Sequence, residues 1–261
     1  MKWRFAVAGM ILAAGAAVLG APYLRADGFG YRVKSALEGA LGRRVEIGTV
    51  RLSLLRGPAF LVERVVIYDD PAFGVEPFAW VEELEASPRL LPLLRGRLEF
   101  SSLRLSGFPV VNFVRNDGWN FAPLFSTDRL TGLPRIAVRG ARIYFKFGED
   151  KSVFYFTNVD LDASPPGRAG GAWEMTFTGE PARTDRAIAI GGAGRGLGRL
   201  SGSARLDGAN PYLDVDLALS RSPLGEMIAL VYGRDAGIHG IVSSRSRLSG
   251  PLRRARDYRP T

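Results

Sequence analysis

The sequence predicts a mainly β protein with few helices. Short segments in which apolar and polar residues alternate recur along most of the chain, and a period of two is typical of strands with one buried face. Gly, Asp, Asn and Pro residues separate these segments, which favours an antiparallel meander over βαβ units. Because the chain is 46% apolar and only 23% charged, we expect a packed core rather than disorder.

The N-terminal segment of residues 5–24 has no charged side chain and follows Lys2 and Arg4. An α-helix of this length spans about 30 Å, which matches the hydrocarbon thickness of a bilayer. A cleaved signal peptide is the competing interpretation because small residues surround Gly20, but the apolar run is longer than the usual core of such a peptide. We predict an uncleaved, single-pass anchor over residues 1–26, with the rest of the chain exported.

Residues 27–125 are predicted to begin with an amphipathic helix. Apolar residues three and four positions apart recur over residues 29–41, and Gly42 supplies a typical helix stop. We expect this helix to plug the open end of a β-domain, and a helix lying on a membrane surface is the alternative. Alternation with a period of two begins at Val45, and Gly48 shifts its phase as a β-bulge would.

Residues 126–261 form a second region, which a stretch rich in Ser, Thr, Gly and Pro separates from the first. Alternation is cleaner here, and a short helix is predicted between Ser222 and Gly233. Periodicity leaves two arrangements open. The apolar faces bury one another in a closed sandwich, or they line a groove in an incompletely closed sheet.

The composition leaves little for an active site. No cysteine is present and His239 is the single histidine, so thiolate and His–His metal sites are excluded. The Gly-rich run at residues 191–198 lacks the spacing of a phosphate-binding loop. Asp160 and Asp162 alternate with an apolar residue, which places them on the wet face of a strand. We therefore predict no enzymatic activity, no metal and no cofactor.

The net charge of +9 is compatible with nucleic acid or with an anionic lipid surface. Because the chain is predicted to be exported, we expect no nucleic-acid partner.

Six motifs follow one another along the chain after the predicted anchor. They are Leu41-Gly42-Arg43-Arg44-Val45-Glu46-Ile47, Asp69-Asp70-Pro71-Ala72-Phe73-Gly74, Leu93-Leu94-Arg95-Gly96, Leu105-Ser106-Gly107, Gly118-Trp119-Asn120 and Leu248-Ser249-Gly250-Pro251-Leu252. In this order they resemble the AsmA family of bacterial envelope proteins, which is related to the chorein-type bridge-like lipid-transfer proteins. The resemblance covers most of the chain.

The resemblance implies a protein of the bacterial inner membrane, anchored through residues 5–24, whose bulk lies in the periplasm. It implies a twisted, antiparallel sheet that forms an incompletely closed, taco-shaped groove with an apolar interior. Such a groove binds phospholipid acyl chains and serves phospholipid transport between the inner and outer membranes and outer-membrane biogenesis. Periplasmic or outer-membrane proteins are further implied partners.

The implied lipid-binding residues are the apolar positions of the cleanest alternating strands. They are Ile143, Phe145, Phe147, Trp173, Met175, Phe177, Leu213, Val215, Leu217 and Leu219. The alternative is a closed β-domain in which these residues form a dry core and the protein acts as an envelope assembly scaffold without lipid transfer. Roughly fifteen strands give a groove of about 70 Å at most, shorter than a complete bridge, so we expect a fragment of a longer chain or a short family member.

Overall fold

The structure is a computed structural model of the chain. The residues that it describes are 27–54, 57–116, 118–121, 133–147, 150–166, 171–183, 198–207, 212–225, 228, 237–238, 240–251 and 259–260. The predicted anchor at residues 5–24 lies outside them. Within the described ranges, no helix is both long enough and apolar enough to cross a membrane.

Helices are short in the described part of the chain. Helix α1 spans Gly30–Leu41 after a 3₁₀ turn at Asp27–Phe29, and helix α2 spans Leu90–Leu94. A second 3₁₀ turn spans Pro71–Phe73. In the helix predicted between Ser222 and Gly233, Leu224, Gly225 and Ile228 are helical, while residues 226–227 and 229–233 lie outside the described residues.

Strands make up most of the remaining described chain, as predicted. They are β1 Val45–Glu46, β2 Val50–Ser53, β3 Ala59–Ile67, β4 Ala79–Pro88, β5 Phe100–Ser106, β6 Val110–Arg115, β7 Arg135–Phe147, β8 Asp150–Ser164, β9 Ala172–Arg183, β10 Arg199–Asp207, β11 Tyr212–Pro223, β12 Ile241–Pro251 and β13 Arg259–Pro260. All of them belong to one sheet in the order β1-β3-β4-β5-β7-β8-β9-β10-β11-β12-β13, with β2 beside β3 and β6 between β4 and β7. The described sheet is not closed on itself.

The sheet is mixed, which corrects the prediction of an antiparallel sheet. Strands β5 and β6 run parallel to β7, while the other neighbouring strands are antiparallel. Parallel neighbours need a long crossover because the chain must return to its starting end, and residues 116–134 provide one. Most of the stretch interpreted from the sequence as a boundary, residues 126–134, lies outside the described residues. The sheet therefore continues from residues 27–125 into residues 126–261.

A break in the first edge of the sheet keeps its apolar residues on one face. Val45 and Val50 are an odd number of residues apart and are both buried, so the phase shift predicted at Gly48 is confirmed. An added Cβ at Gly48 would lie 2.7 Å from the carbonyl oxygen of Glu63, so a larger residue would push the two strands apart.

Helix α1 packs across the apolar face of the first strands. Val33 and Leu37 are fully buried in a cluster with Val45, Val62 and Leu84. The helix ends as predicted at Gly42, whose left-handed φ of 61° lets its backbone N–H donate to the carbonyl oxygen of Glu38. Each such buried side chain contributes roughly 1.5–3 kcal/mol, so packing rather than helix propensity holds this short helix in place.

We expect Leu37→Ala to lower the free energy of unfolding by about 2–5 kcal/mol, because it leaves a cavity under α1. Tyr31→Ala on the same helix is the matched control, since Tyr31 is 82% exposed and its loss should cost about 0.5 kcal/mol or less. Urea unfolding of the full chain in mild detergent, followed by tryptophan fluorescence, measures both. Equal effects of the two substitutions would contradict the packing of α1 on the sheet.

Candidate functional site

The ten predicted lipid-binding positions share one face of the sheet. Residues directly opposite each other on neighbouring strands point to the same side. Across β9, β10 and β11, Trp173 is aligned with Leu206 and Leu213, and Met175 with Ala204 and Val215. Phe177 is aligned with Gly202 and Leu217, and on its other side with Leu161 of β8. Ile143 of β7 is aligned with Phe156 of β8. Phe145 and the backbone position of Phe147 follow Ile143 at spacings of two.

This face has a covered half and an open half. In the covered half, the cluster under α1 reaches from Val45 in β1 to Leu103 and Leu105 in β5. On β9 and β11, six predicted residues remain only half-buried, and we call them the open face: Met175, Phe177, Leu213, Val215, Leu217 and Leu219. Two of them, Met175 and Leu213, border the buried cluster around Trp173. The apolar pattern is the same in both halves, and among the described residues α1 packs only on the first.

Two of the predicted residues, Trp173 and Phe145, pack against the protein's own side chains. Trp173 is only 3% exposed and packs with Leu133, Ala163 and Leu206. Phe145 has aromatic neighbours on three sides, with ring centroids 6.0 Å away at Phe113, 6.2 Å at Trp119 and 5.9 Å at Phe156. These two positions therefore fit the dry-core interpretation better than a ligand surface.

The aromatic cluster around Phe145 was missed by sequence reasoning. It includes Phe113 from β6, together with Trp119 and Phe121 from the crossover. The alternation of Val111 with Phe113 carried the signal for the strand. Nothing local in the sequence indicates that the crossover folds back over β7, because that contact depends on the parallel pairing.

Three motifs of the family resemblance meet in one buried network. The Arg43 guanidinium donates to the carboxylate of Asp69 and, at 2.6 Å, to the backbone carbonyl of Asn120. The side-chain amide of Asn120 donates to Asp69 and, at 2.9 Å, to the carbonyl oxygen of Asn112. Its side-chain oxygen accepts from the backbone N–H of Val114 at 3.1 Å. The network thereby joins the end of α1, the turn after β3 and the crossover.

The network is almost completely excluded from solvent, so each charged group in it depends on its partner. The side chains of Arg43 and Asp69 are 9% and 2% exposed, and Asn120 is fully buried. The Arg43 guanidinium also lies 4.1 Å from the ring centroid of Phe78, which adds a cation–π contact. Removing one partner of a buried charge pair costs far more than the pair contributes as a whole, because the other charge stays uncompensated.

The opposite face of the sheet carries an open cavity of about 970 Å³. Its walls come mainly from outward-facing hydroxyls and charges of β8 to β12, among them Thr176, Thr178, Ser201 and Ser203. Three arginines (Arg139, Arg245 and Arg247) balance three aspartates (Asp160, Asp162 and Asp216). The charges of these side chains therefore balance, and the lining is mixed rather than purely apolar, because Phe177, Gly202 and Leu217 also contribute to it.

The aspartates of this cavity are on the wet face, as their alternation predicts. Asp162 accepts two hydrogen bonds from the Arg139 guanidinium, at 2.9 and 2.8 Å. These bonds raise the pKa of Arg139 further above its ordinary value, although partial burial opposes the shift. At the neighbouring bulge between β7 and β8, the backbone N–H of Gly140 donates to Asp160 at 3.0 Å.

No metal or nucleophile chemistry emerges from the described side chains. Within those ranges, no group of three or more His, Cys, Asp or Glu residues is arranged to hold a metal ion. His239, on which any Ser–His–Asp triad would depend, lies outside the described residues.

Comparison of the chain with protein-family models, with curated proteins and with solved structures finds no match. The likeness to AsmA proteins therefore rests on the motifs alone.

We expect Asn120→Ala to lower the free energy of unfolding by about 2–4 kcal/mol, because it deprives Val114 and Asp69 of buried hydrogen-bond partners. Asn116→Ala, four residues away in the same crossover, removes only an exposed bond to the carbonyl oxygen of Ala72 and should cost about 1 kcal/mol or less. Urea unfolding distinguishes the two. The account of the network is wrong if Asn120→Ala costs no more than Asn116→Ala.

Proposed function

We propose that the chain is an inner-membrane-anchored periplasmic protein that binds phospholipid acyl chains on its open face. In this proposal it takes part in phospholipid transport between the inner and outer membranes and in outer-membrane biogenesis, and it has no enzymatic activity. The observation that carries the proposal is a continuous apolar face that α1 covers over β1 to β5 and that stays half-exposed over β9 to β11.

The open face has the chemistry that a hydrocarbon chain requires. Apolar side chains of β9 and β11 flank small residues of β10, with Ala204 between Met175 and Val215. The ring of Phe177 lies over Gly202, where an added Cβ would come within 2.6 Å of a ring carbon. The surface is thus apolar and nearly continuous across three strands. Removing such surface from water is favourable by about 25 cal/mol per Å², distributed over many contacts rather than one residue.

The opposite face of the same strands is polar, with Asp216 exposed on β11. In a sheet with apolar and polar faces, acyl chains lie against the apolar face while the headgroup stays in water.

The second candidate function is an envelope assembly scaffold, in which a protein segment rather than lipid covers the open face. The core positions of Trp173 and Phe145 favour it, because there the protein fills the same face with its own side chains. Both candidates bury the open face, and they differ in what buries it.

Photo-crosslinking on β11 should separate them. We expect a photoreactive residue at Val215 or Leu217 in the full chain, irradiated in cells, to give a phospholipid adduct detectable by mass spectrometry. The same residue at Asp216 or Ala218, on the opposite face of that strand, should give none. Protein adducts at Val215 and Leu217 without lipid would support the scaffold, and adducts that ignore the alternation would contradict both candidates.

A charge on the open face should also reduce bound lipid. Val215→Asp places a carboxylate against hydrocarbon, and its desolvation should lower co-purified phospholipid by more than about tenfold. Ala218→Asp, on the same strand but the opposite face, should leave the lipid content unchanged. Native mass spectrometry of the gently extracted full chain measures both variants, and equal lipid content in Val215→Asp and the unaltered chain would rule out this site.

A further inference from the structure

A short turn between β4 and β5 carries the most exposed group of leucines in the described chain. Leu90, Leu91 and Leu94 are 58%, 71% and 83% exposed. We call residues 89–97, which contain α2, the leucine tip. We propose that the leucine tip is a second membrane contact, which inserts its leucines into the headgroup region of the anionic bilayer that anchors the N-terminal segment.

The leucine tip is a built feature and not a loose loop. The backbone N–H of Arg89 donates to the carbonyl oxygen of Glu99 at 2.7 Å and closes the base of the turn. Pro92 accepts from the backbone N–H groups of Arg95 and Arg97 at 3.0 and 2.9 Å. These bonds fix the backbone with the leucines outward. Little further conformational entropy is therefore lost when an apolar partner covers them.

Charge selects the partner. Arg89, Arg95 and Arg97 are exposed and flank the leucines in the sequence, and Arg97 pairs with Glu99 at 3.0 Å. An apolar group flanked by arginines is the pattern of segments that lie in a membrane interface, where the leucines enter the acyl boundary and the guanidinium groups meet lipid phosphates. A purely apolar protein partner would leave these charges facing a desolvated surface.

The leucine tip lies at the end of the sheet where the chain enters the fold. The ring of Phe29, directly before α1, lies 5.9 Å from the ring of Phe60. Phe60 pairs with Ala86, which is two residues from the end of β4 where the leucine tip begins. The chain therefore enters the fold from residues 1–26 at the end of the sheet that carries the leucine tip. The turn between β3 and β4, which contains Val75, lies at the opposite end.

This inference rests on the anchor at residues 5–24 of the proposed function, and it is independent of lipid binding on the open face. The absence of cysteine makes the test direct, since Leu91→Cys provides one labelling site in the full chain. Leu91 is exposed, so the substitution leaves the core intact. Val75→Cys is the matched control, because Val75 is 99% exposed at the other end of the sheet.

The experiment reconstitutes each full-length variant, labelled with an environment-sensitive fluorophore, into vesicles of phosphatidylethanolamine and phosphatidylglycerol with brominated acyl chains. We expect the acyl bromines to quench the probe at Leu91→Cys and to leave the probe at Val75→Cys unquenched. Adding Arg89→Gln and Arg95→Gln, or replacing phosphatidylglycerol with phosphatidylcholine, should reduce the quenching at Leu91→Cys several-fold.

Three results would contradict different parts of the proposal. If the protein floats with the vesicles while the probe at Leu91→Cys stays as unquenched as the one at Val75→Cys, the leucine tip is not a membrane contact. If quenching is the same with and without phosphatidylglycerol, the assignment to an anionic surface is wrong. Failure to float with the vesicles would overturn the anchor and the leucine tip together, and none of these results depends on lipid bound to β11.

Discussion

Burial of one apolar face is the constraint on which this structure depends. Every strand from β1 to β11 places apolar side chains on the same side of a single sheet. Exposing this apolar surface to water is unfavourable, whichever strand carries it. Helix α1 satisfies the requirement for the first strands with Val33 and Leu37. It is only twelve residues long, about 18 Å, so it cannot extend over the rest of the sheet. Within the described part of the chain, the open face over β9 to β11 stays half-exposed.

A second requirement is that the two halves of the sheet stay joined. The parallel pairing of β6 with β7 requires a crossover, whose described start contributes Trp119 and Phe121 to the aromatic cluster. The network of Arg43, Asp69 and Asn120 fixes that start. Because Arg43 and Asp69 are nearly excluded from water, these partners tolerate little displacement. The motifs that carry the family resemblance thus have a structural role, at the point where the covered half meets the open half.

Local sequence patterns predicted the features that depend on neighbouring residues, such as strands, their apolar faces and helix ends. Alternation over Leu213 to Leu219 predicted both a strand and its apolar face, and Gly42 predicted the end of α1. The parallel pairing was not predicted, because a period of two is identical in parallel and antiparallel strands. The Arg43 network joins residues 26 and 77 positions apart, and no short-range rule detects contacts of that separation. For the same reason the sequence did not predict that Trp173 is a core residue, because its neighbour Leu133 is separated from it in the chain by β7 and β8.

The central claim is that hydrocarbon, and not protein, covers the open face. Methyl-labelled full-length protein in phospholipid nanodiscs tests it through nuclear Overhauser contacts between leucine and valine methyl groups and acyl-chain protons. The account predicts such contacts at Val215 and Leu217 and none at Val62, which is fully buried beneath α1. Contacts from Val215 and Leu217 to protein protons alone would contradict it.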